Sequence, residues 1–129
     1  VLKLPLPYKQ CSALNEKEHV LLQISGMTGF KLDGSIEDSA YEQAIEAISS
    51  IGKVISAAAR HYEIEIKNPL DYVTLTRPFV VDSMSNGASV NEAYKKAGMP
   101  EVVRAMPSTA EMPKGVLVQI EAEARIPKK

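Results

Sequence analysis

From Val116 to Ala124 the chain alternates without a break: Val116, Val118, Ile120, Ala122 and Ala124 share one parity, and Leu117, Gln119, Glu121 and Glu123 share the other. A period of two marks an extended strand whose successive side chains point to opposite faces of a sheet. Such a strand needs a layer to cover its apolar face, and a second stretch with a different period supplies one. Tyr41, Ala44, Ile45, Ile48, Ile51, Ile55 and Ala58 recur at steps of three and four, drawing one apolar stripe along a long helix. Ser35 followed by Asp38 resembles a capping-box start for that helix. Its other side carries Glu42, Glu46, Ser49, Ser50 and Lys53 and is expected to face water.

The remaining elements follow from local signals. Val20, Leu22 and Ile24 share a parity within His19 to Ser25, which predicts a largely buried strand ended by Gly26. Gly29, Asp33 and Gly34 then give turn chemistry to an exposed loop from Met27 to Ser35. The run Asp71 to Val81 is rich in β-branched and aromatic residues and predicts a second strand, but Pro78 cannot donate to a ladder. That strand must therefore be an edge at Pro78 or carry a bulge there. Val90, Ala93, Tyr94 and Ala97 form one face of a short helix closed by Gly98, with Pro100 just beyond. A further strand is expected around Val102 to Ala110, and adjacency suggests that it forms a hairpin with the alternating strand at Val116 to Ala124.

The order strand, long helix, strand, short helix, strand, strand predicts an α/β (α+β) fold: a mixed β-sheet with two helices packed on one face. No repeat or linker divides the chain, so residues 1–129 read as a single domain. A bare second sheet face would expose more apolar area than monomers usually tolerate, which predicts self-association.

Charge and composition narrow the partners. Fifteen basic and sixteen acidic residues give a formal charge of −1, with no run of like charges, so neither nucleic acid nor an anionic membrane is an expected partner. No stretch approaches the ~20 apolar residues of a spanning helix. Lys3, Pro5 and Pro7 break the apolar start, which is not expected to be a signal peptide. Cys11 is the only cysteine, so no disulfide can form within one chain and a reducing, cytoplasmic setting is the simplest expectation. The first residue is Val, which leaves an organelle open.

Chemistry-bearing constellations are few. His19 and His61 have no partner at metal spacing, and no cysteine pair or carboxylate string accompanies them, so no metal site is expected. Cys11 has no identifiable base and reads as a small packed hydrophobe. Gly26, Gly29 and Gly34 do not form a phosphate loop. Two residues break the strand patterns around them: Arg104 among Val102, Val103, Ala105 and Met106, and Glu121 between Ile120 and Ala122. Either they are exposed strand residues or they line a cleft. In a cleft, a guanidinium can hold a carboxylate through two parallel hydrogen bonds and a carboxylate can activate water, which together suit hydrolysis of a small acid.

The stretch Ser89-Val90-Asn91-Glu92-Ala93-Tyr94, then Arg104, then Met112-Pro113-Lys114-Gly115 through Gln119-Ile120-Glu121-Ala122, resembles the RidA/YjgF family of reactive intermediate imine deaminases. Pro7-Tyr8 and Gln23-Ile24-Ser25-Gly26 extend the resemblance toward the start, so it covers most of the chain. The segment from Ala57 to Asn68 is longer than the family's usual connection. Beside the arginine, Val102-Val103-Arg104-Ala105-Met106 replaces the family's Pro-x-Arg-Ser and small or cysteine residue, which implies a narrower or drier pocket.

The resemblance implies a chorismate-mutase-like fold assembled as a homotrimer, with sites in clefts between subunits and other strands placed between the last two. It implies hydrolysis of a 2-imino or 2-enamino acid to a 2-oxo acid and ammonia without a cofactor. Arg104 would clamp the substrate carboxylate and Glu121 would activate water. Tyr8, Ser25, Gly26, Asn91 and Met106 would shape the pocket, with Tyr8 contributed by a neighbouring subunit. The alternatives are a non-catalytic or chaperone-like trimer that binds small carboxylates and, less well matched to the charge, an endoribonuclease.

Overall fold

The structure is a computed structural model that describes residues 11–128. Its strands are β1 (Cys11–Asn15), β2 (His19–Thr28), β3 (Val73–Val81), β4 (Val103–Arg104), β5 (Ser108–Thr109) and β6 (Val118–Pro127); its helices are α1 (Ala40–His61) and α2 (Ser83–Ala97). All six strands join one mixed sheet in the order β1-β2-β6-β3-β4, with β5 also pairing to β3. The β1–β2, β2–β6 and β6–β3 pairs are antiparallel, whereas β3 pairs parallel with β4 and β5. The mixed sheet and two helices agree with the expected class. No hairpin joins the last two strands, because β3 separates β6 from both β4 and β5.

The alternation in β6 does what its period requires. Val118, Ile120, Ala122, Ala124 and Ile126 are buried against the helices, whereas Gln119, Glu121, Glu123 and Arg125 lie on the open face. From β2, Val20, Leu22 and Ile24 enter the same core, and α1 covers it with Ala44, Ala47, Ile48, Ile51 and Ile55. α1 also meets α2 and the 3-10 turn at Pro69–Tyr72, so its buried surface is wider than one stripe. Ser50, expected in water, is buried as a result, and Tyr41, Ile45 and Ala58 are only half-buried.

Several boundaries differ from the sequence expectation for identifiable reasons. α1 starts from Ser39, whose hydroxyl accepts from Glu42 N at 3.1 Å; Ser35 instead donates to Asp33 in a local turn, so the Ser35–Asp38 cap does not form. β2 runs past Gly26 to Thr28 through a bulge. α2 begins at Ser83, directly after its left-handed N-cap Asp82 (φ 49°), and is closed by Gly98 (φ 77°) as its C-terminal glycine predicts. The strand expected at Val102 to Ala110 is two short pieces separated by Ala105–Pro107.

Pro78 explains that break. Val81 N donates to Leu117 O and Val80 N to Pro107 O, so even-numbered nitrogens of β3 point away from β6. β4 pairs only with Leu75 and Thr76, and β5 only with Val80 and Val81. The missing proline donor therefore falls in the gap between β4 and β5, and β3 stays internal.

One buried amide joins the loops. Gln43, 1% exposed, donates from Nε2 to Glu37 O (2.7 Å) and Gly115 O (3.1 Å), and its Oε1 accepts from Leu117 N (2.8 Å). It holds the loop before α1 to the entry of β6. Gln43→Leu leaves three backbone groups without that partner and should cost roughly 3–5 kcal/mol in urea unfolding; a loss below about 1 kcal/mol would show the amide to be dispensable. A Cβ on Gly29 would fall 2.7 Å from Gln43 Cα. Gly29→Ala should accordingly destabilise by about 1–3 kcal/mol, measured the same way, because backbone must move; an unchanged midpoint would count against that packing.

Candidate functional site

The singled-out residues fall into two groups on opposite faces of the sheet. The first surrounds the bulge in β2. Ile24 and Met27, three residues apart, pair with Ala122 and Ile120, two apart, so Ser25 and Gly26 both stand opposite Glu121. A bulge places an extra residue and re-aims side chains, which is why it suits the wall of a site. The Gln119 side chain lies over Gly26: a Cβ there would fall 2.0 Å from Gln119 Nε2, so a larger residue would have to displace that side chain. Glu121 Oε1 lies 3.3 Å from Arg77 Nη1, its cross-strand partner on β3. A cleft of about 390 Å³ opens here, with Ser12, Gln23, Ser25, Arg77, Glu121 and Glu123 among its lining residues.

The second group gathers around α2 and the β4 edge. Arg104 pairs with Thr76, which is fully buried on the helix side, so both belong to that face. The Arg104 guanidinium carbon sits 5.1 Å from the centroid of the Tyr94 ring. Tyr94 is itself buried, and its hydroxyl bonds Thr76 Oγ1 at 3.0 Å. Burial pushes the Tyr94 hydroxyl above its ordinary range, with the Thr76 bond and the Arg104 charge opposing in part, so the ring stays neutral at physiological pH. Among the described residues no carboxylate pairs with Arg104. Asn91 is exposed on α2, and Met106 is half-buried beside Gly87, where a Cβ would lie 3.5 Å from its sulfur.

Arg104 and Glu121 are therefore not neighbours within one chain. β3 lies between their strands, and their side chains take opposite faces. Tyr8 lies outside the described residues. The open face is also less apolar than expected, since Gln23, Gln119, Glu121, Glu123, Arg77 and Arg125 occupy it beside Leu21 and Phe79. Arg77, Thr76, Gln119 and Tyr94 belong to these two groups without standing out as site residues in the sequence. Arg77 breaks a β-branched strand as Arg104 does, a signal that was present; Thr76, Gln119 and Tyr94 fit their strand and helix patterns, although Gln119 and Tyr94 lie within the stretch that resembles the family.

The histidines and the cysteine occupy other places. His19 pairs with Glu16 at 2.9 Å and contacts Arg125 at the start of β2. His61 stands in the last turn of α1, its ring edge-on to Tyr62 at 4.9 Å. A groove of about 620 Å³ between β1 and α1 is lined by Cys11, Lys53, Val54, Ala58, His61 and Tyr62, among others. Burial pushes the Cys11 thiol above its ordinary range. Because the thiolate is the reactive form, iodoacetamide at pH 8 should label native Cys11 more slowly than the urea-unfolded chain; faster labelling of the native protein would mean an activated thiol. The same shift makes its contribution to stability complete below the unfolded thiol's pKa and lost as pH rises through the folded value.

The sequence model of the family described as Endoribonuclease L-PSP matches residues 6–126. No curated protein sequence matches the chain. Among solved structures, RidA from the Antarctic bacterium Psychrobacter sp. is similar at 25% identity and a TM-score of 0.77, covering 97% of this chain and 93% of that one. E. coli TdcF with bound serine is similar at 22% identity and a TM-score of 0.73, covering 95% and 91%. The YjgF gene product from E. coli is similar at 20% identity and a TM-score of 0.72, covering 95% and 91%.

Proposed function

We propose that this chain, which belongs to the endoribonuclease L-PSP (YjgF/RidA) family, hydrolyses small 2-imino acids to 2-oxo acids and ammonia. The observation that carries the reading is Arg104: a guanidinium held against the Tyr94 ring at a sheet edge, exposed and without a carboxylate partner among the described residues. An arginine so placed can grip a carboxylate with two parallel hydrogen bonds. Serine in TdcF is a ligand of the same chemical class, a small molecule bearing a carboxylate.

In the proposed reaction, water adds to the imine carbon and forms a C–O bond. As the C=N pair moves to nitrogen, Glu121 takes one proton from that water and passes it to the nitrogen. The carbinolamine hydroxyl then gives up its proton, relayed by the same carboxylate to the nitrogen, and the C–N bond breaks to release ammonia and leave a carbonyl. Positioning and proton transfer supply the rate enhancement, so the reaction calls for no cofactor. Since Arg104 and Glu121 take opposite faces in one chain, a site using both is completed between copies. The Arg104–Asn91–Met106 half of one subunit would meet the Ser25–Gly26–Glu121 half of the next, in a homotrimer of chorismate-mutase-like folds.

A non-catalytic carboxylate-binding trimer is the second reading. It is favoured by Met106, an apolar side chain beside the arginine that would dry the pocket. Endoribonuclease action has less support: the net charge of −1 and absence of basic runs offer RNA little electrostatic attraction.

Ammonia release from 2-aminoacrylate generated in situ separates these readings. Wild type should exceed the uncatalysed rate, and Arg104→Ala should lower kcat/KM by roughly 30-fold to a few thousandfold, the usual loss on truncating one partner of a desolvated charge pair. Arg104→Lys should recover only part of it, and Glu121→Ala should lower kcat. Wild type at the background rate, yet thermally stabilised by 2-oxobutanoate, would replace catalysis with binding.

A further inference from the structure

We infer that Tyr94 is the positioning residue for the carboxylate-binding arginine, its ring setting the pose of the Arg104 guanidinium and Thr76 fixing the ring. The inference rests on the deaminase reading and extends it to a residue whose sequence pattern marks only a core helix position.

Three observations carry it. Arg104 sits on a two-residue strand with little pairing of its own, so the backbone there does little to define where a long side chain goes. Arginine pays a large rotamer entropy to stay in one pose, and a planar surface beneath the guanidinium reduces that cost. Tyr94 supplies the surface, with the guanidinium carbon 5.1 Å from the ring centroid. The ring cannot tilt freely, because the residue is 8% exposed and its hydroxyl is bonded to the fully buried Thr76, the cross-strand neighbour of Arg104 itself. Strand β3, helix α2 and strand β4 thus meet in one small array. A guanidinium in contact with a ring keeps its N–H edge free, and that edge is what a carboxylate engages.

Tyr94→Phe keeps the ring and removes the Thr76 bond; Tyr94→Leu removes the ring. Three readouts decide the matter. In the wild-type NMR spectrum the Arg104 Hδ protons should be displaced by the ring current, and the displacement should persist in Tyr94→Phe and vanish in Tyr94→Leu. In calorimetry with 2-oxobutanoate, Tyr94→Leu should bind about five- to thirtyfold more weakly, the range expected for a partly desolvated cation–ring contact, with Tyr94→Phe recovering most of the loss. In turnover, Tyr94→Leu should raise KM more than it lowers kcat. The double variant Tyr94→Leu/Arg104→Ala should bind no worse than Arg104→Ala alone, a coupling that general loosening of the core would not produce.

Absence of the ring-current displacement in wild type overturns the inference whatever the activity. So does a folded Tyr94→Leu with wild-type affinity, or one whose loss is undiminished in the Arg104→Ala background, while a disabled Arg104→Ala leaves the deaminase reading intact. An Arg104→Ala variant equal to wild type in both turnover and binding overturns the two together.

Discussion

The register of β6 between β2 and β3 is the constraint on which the rest of the molecule depends. Its even-numbered residues, from Val118 to Ile126, form the floor of the core beneath α1, and its odd-numbered residues, from Gln119 to Arg125, form the open face. A slip of one residue would bury Glu121 and Glu123 and expose Ile120 and Ala122, exchanging every favourable burial for a desolvation cost. Gln43 sets where this strand begins, because its amide engages both Gly115 and Leu117 just before Val118. The start of the strand and the start of α1 are therefore fixed by one buried side chain, and the sheet–helix packing and the position of Glu121 follow from it.

That register also explains why the candidate site is divided. Alternation sends Glu121 to the face opposite the helices, while Arg104, the neighbour of buried Thr76, shares the helix side with Tyr94. The bulge at Ser25–Gly26 adds a wall to the Glu121 half, and the Pro78 gap breaks the parallel pairing beside the Arg104 half. Both irregularities lie next to the candidate residues rather than in the regular stretches of the ladder.

Period carried most of the fold in the sequence. The alternation of β6 and the three-four spacing of α1 named the core, and Gly98 with Pro100 named the end of α2. What was not legible depended on long-range placement. Ser39 rather than Ser35 caps α1 because Asp33 engages Ser35 in a turn, and both serines precede acidic residues. Ser50 is buried because α1 contacts α2 and the 3-10 turn as well as the sheet. β1 is short, exposed over most of its length and without periodic apolar residues, so only its ladder with β2 defines it. Arg104 and Glu121 stood out as charges in apolar strands, but no single-strand pattern says that their strands are separated by β3. Tyr94 was hidden because an aromatic at a core helix position needs no other explanation until its ring is found beneath a cation.

The contrast between the two arginines bears on function most directly. Arg77 already has its carboxylate: Glu121 is 3.3 Å away, and both side chains are more than a third exposed, so the pair adds little stability and an incoming anion would have to compete with Glu121 for it. Arg104 has an aromatic ring in place of an acid. A ring stabilises the guanidinium's pose without occupying the N–H edge and without neutralising its charge, whereas a carboxylate does both. Among the described residues, Arg104 rather than Arg77 is thus oriented and still electrostatically available. The sheet edge it occupies is bordered by exposed Val103, so the approach to it combines an apolar surface with one fixed positive charge. That combination suits a short-chain acid, whose carboxylate meets the charge while its hydrocarbon end loses water, better than it suits a polyanion requiring many cations.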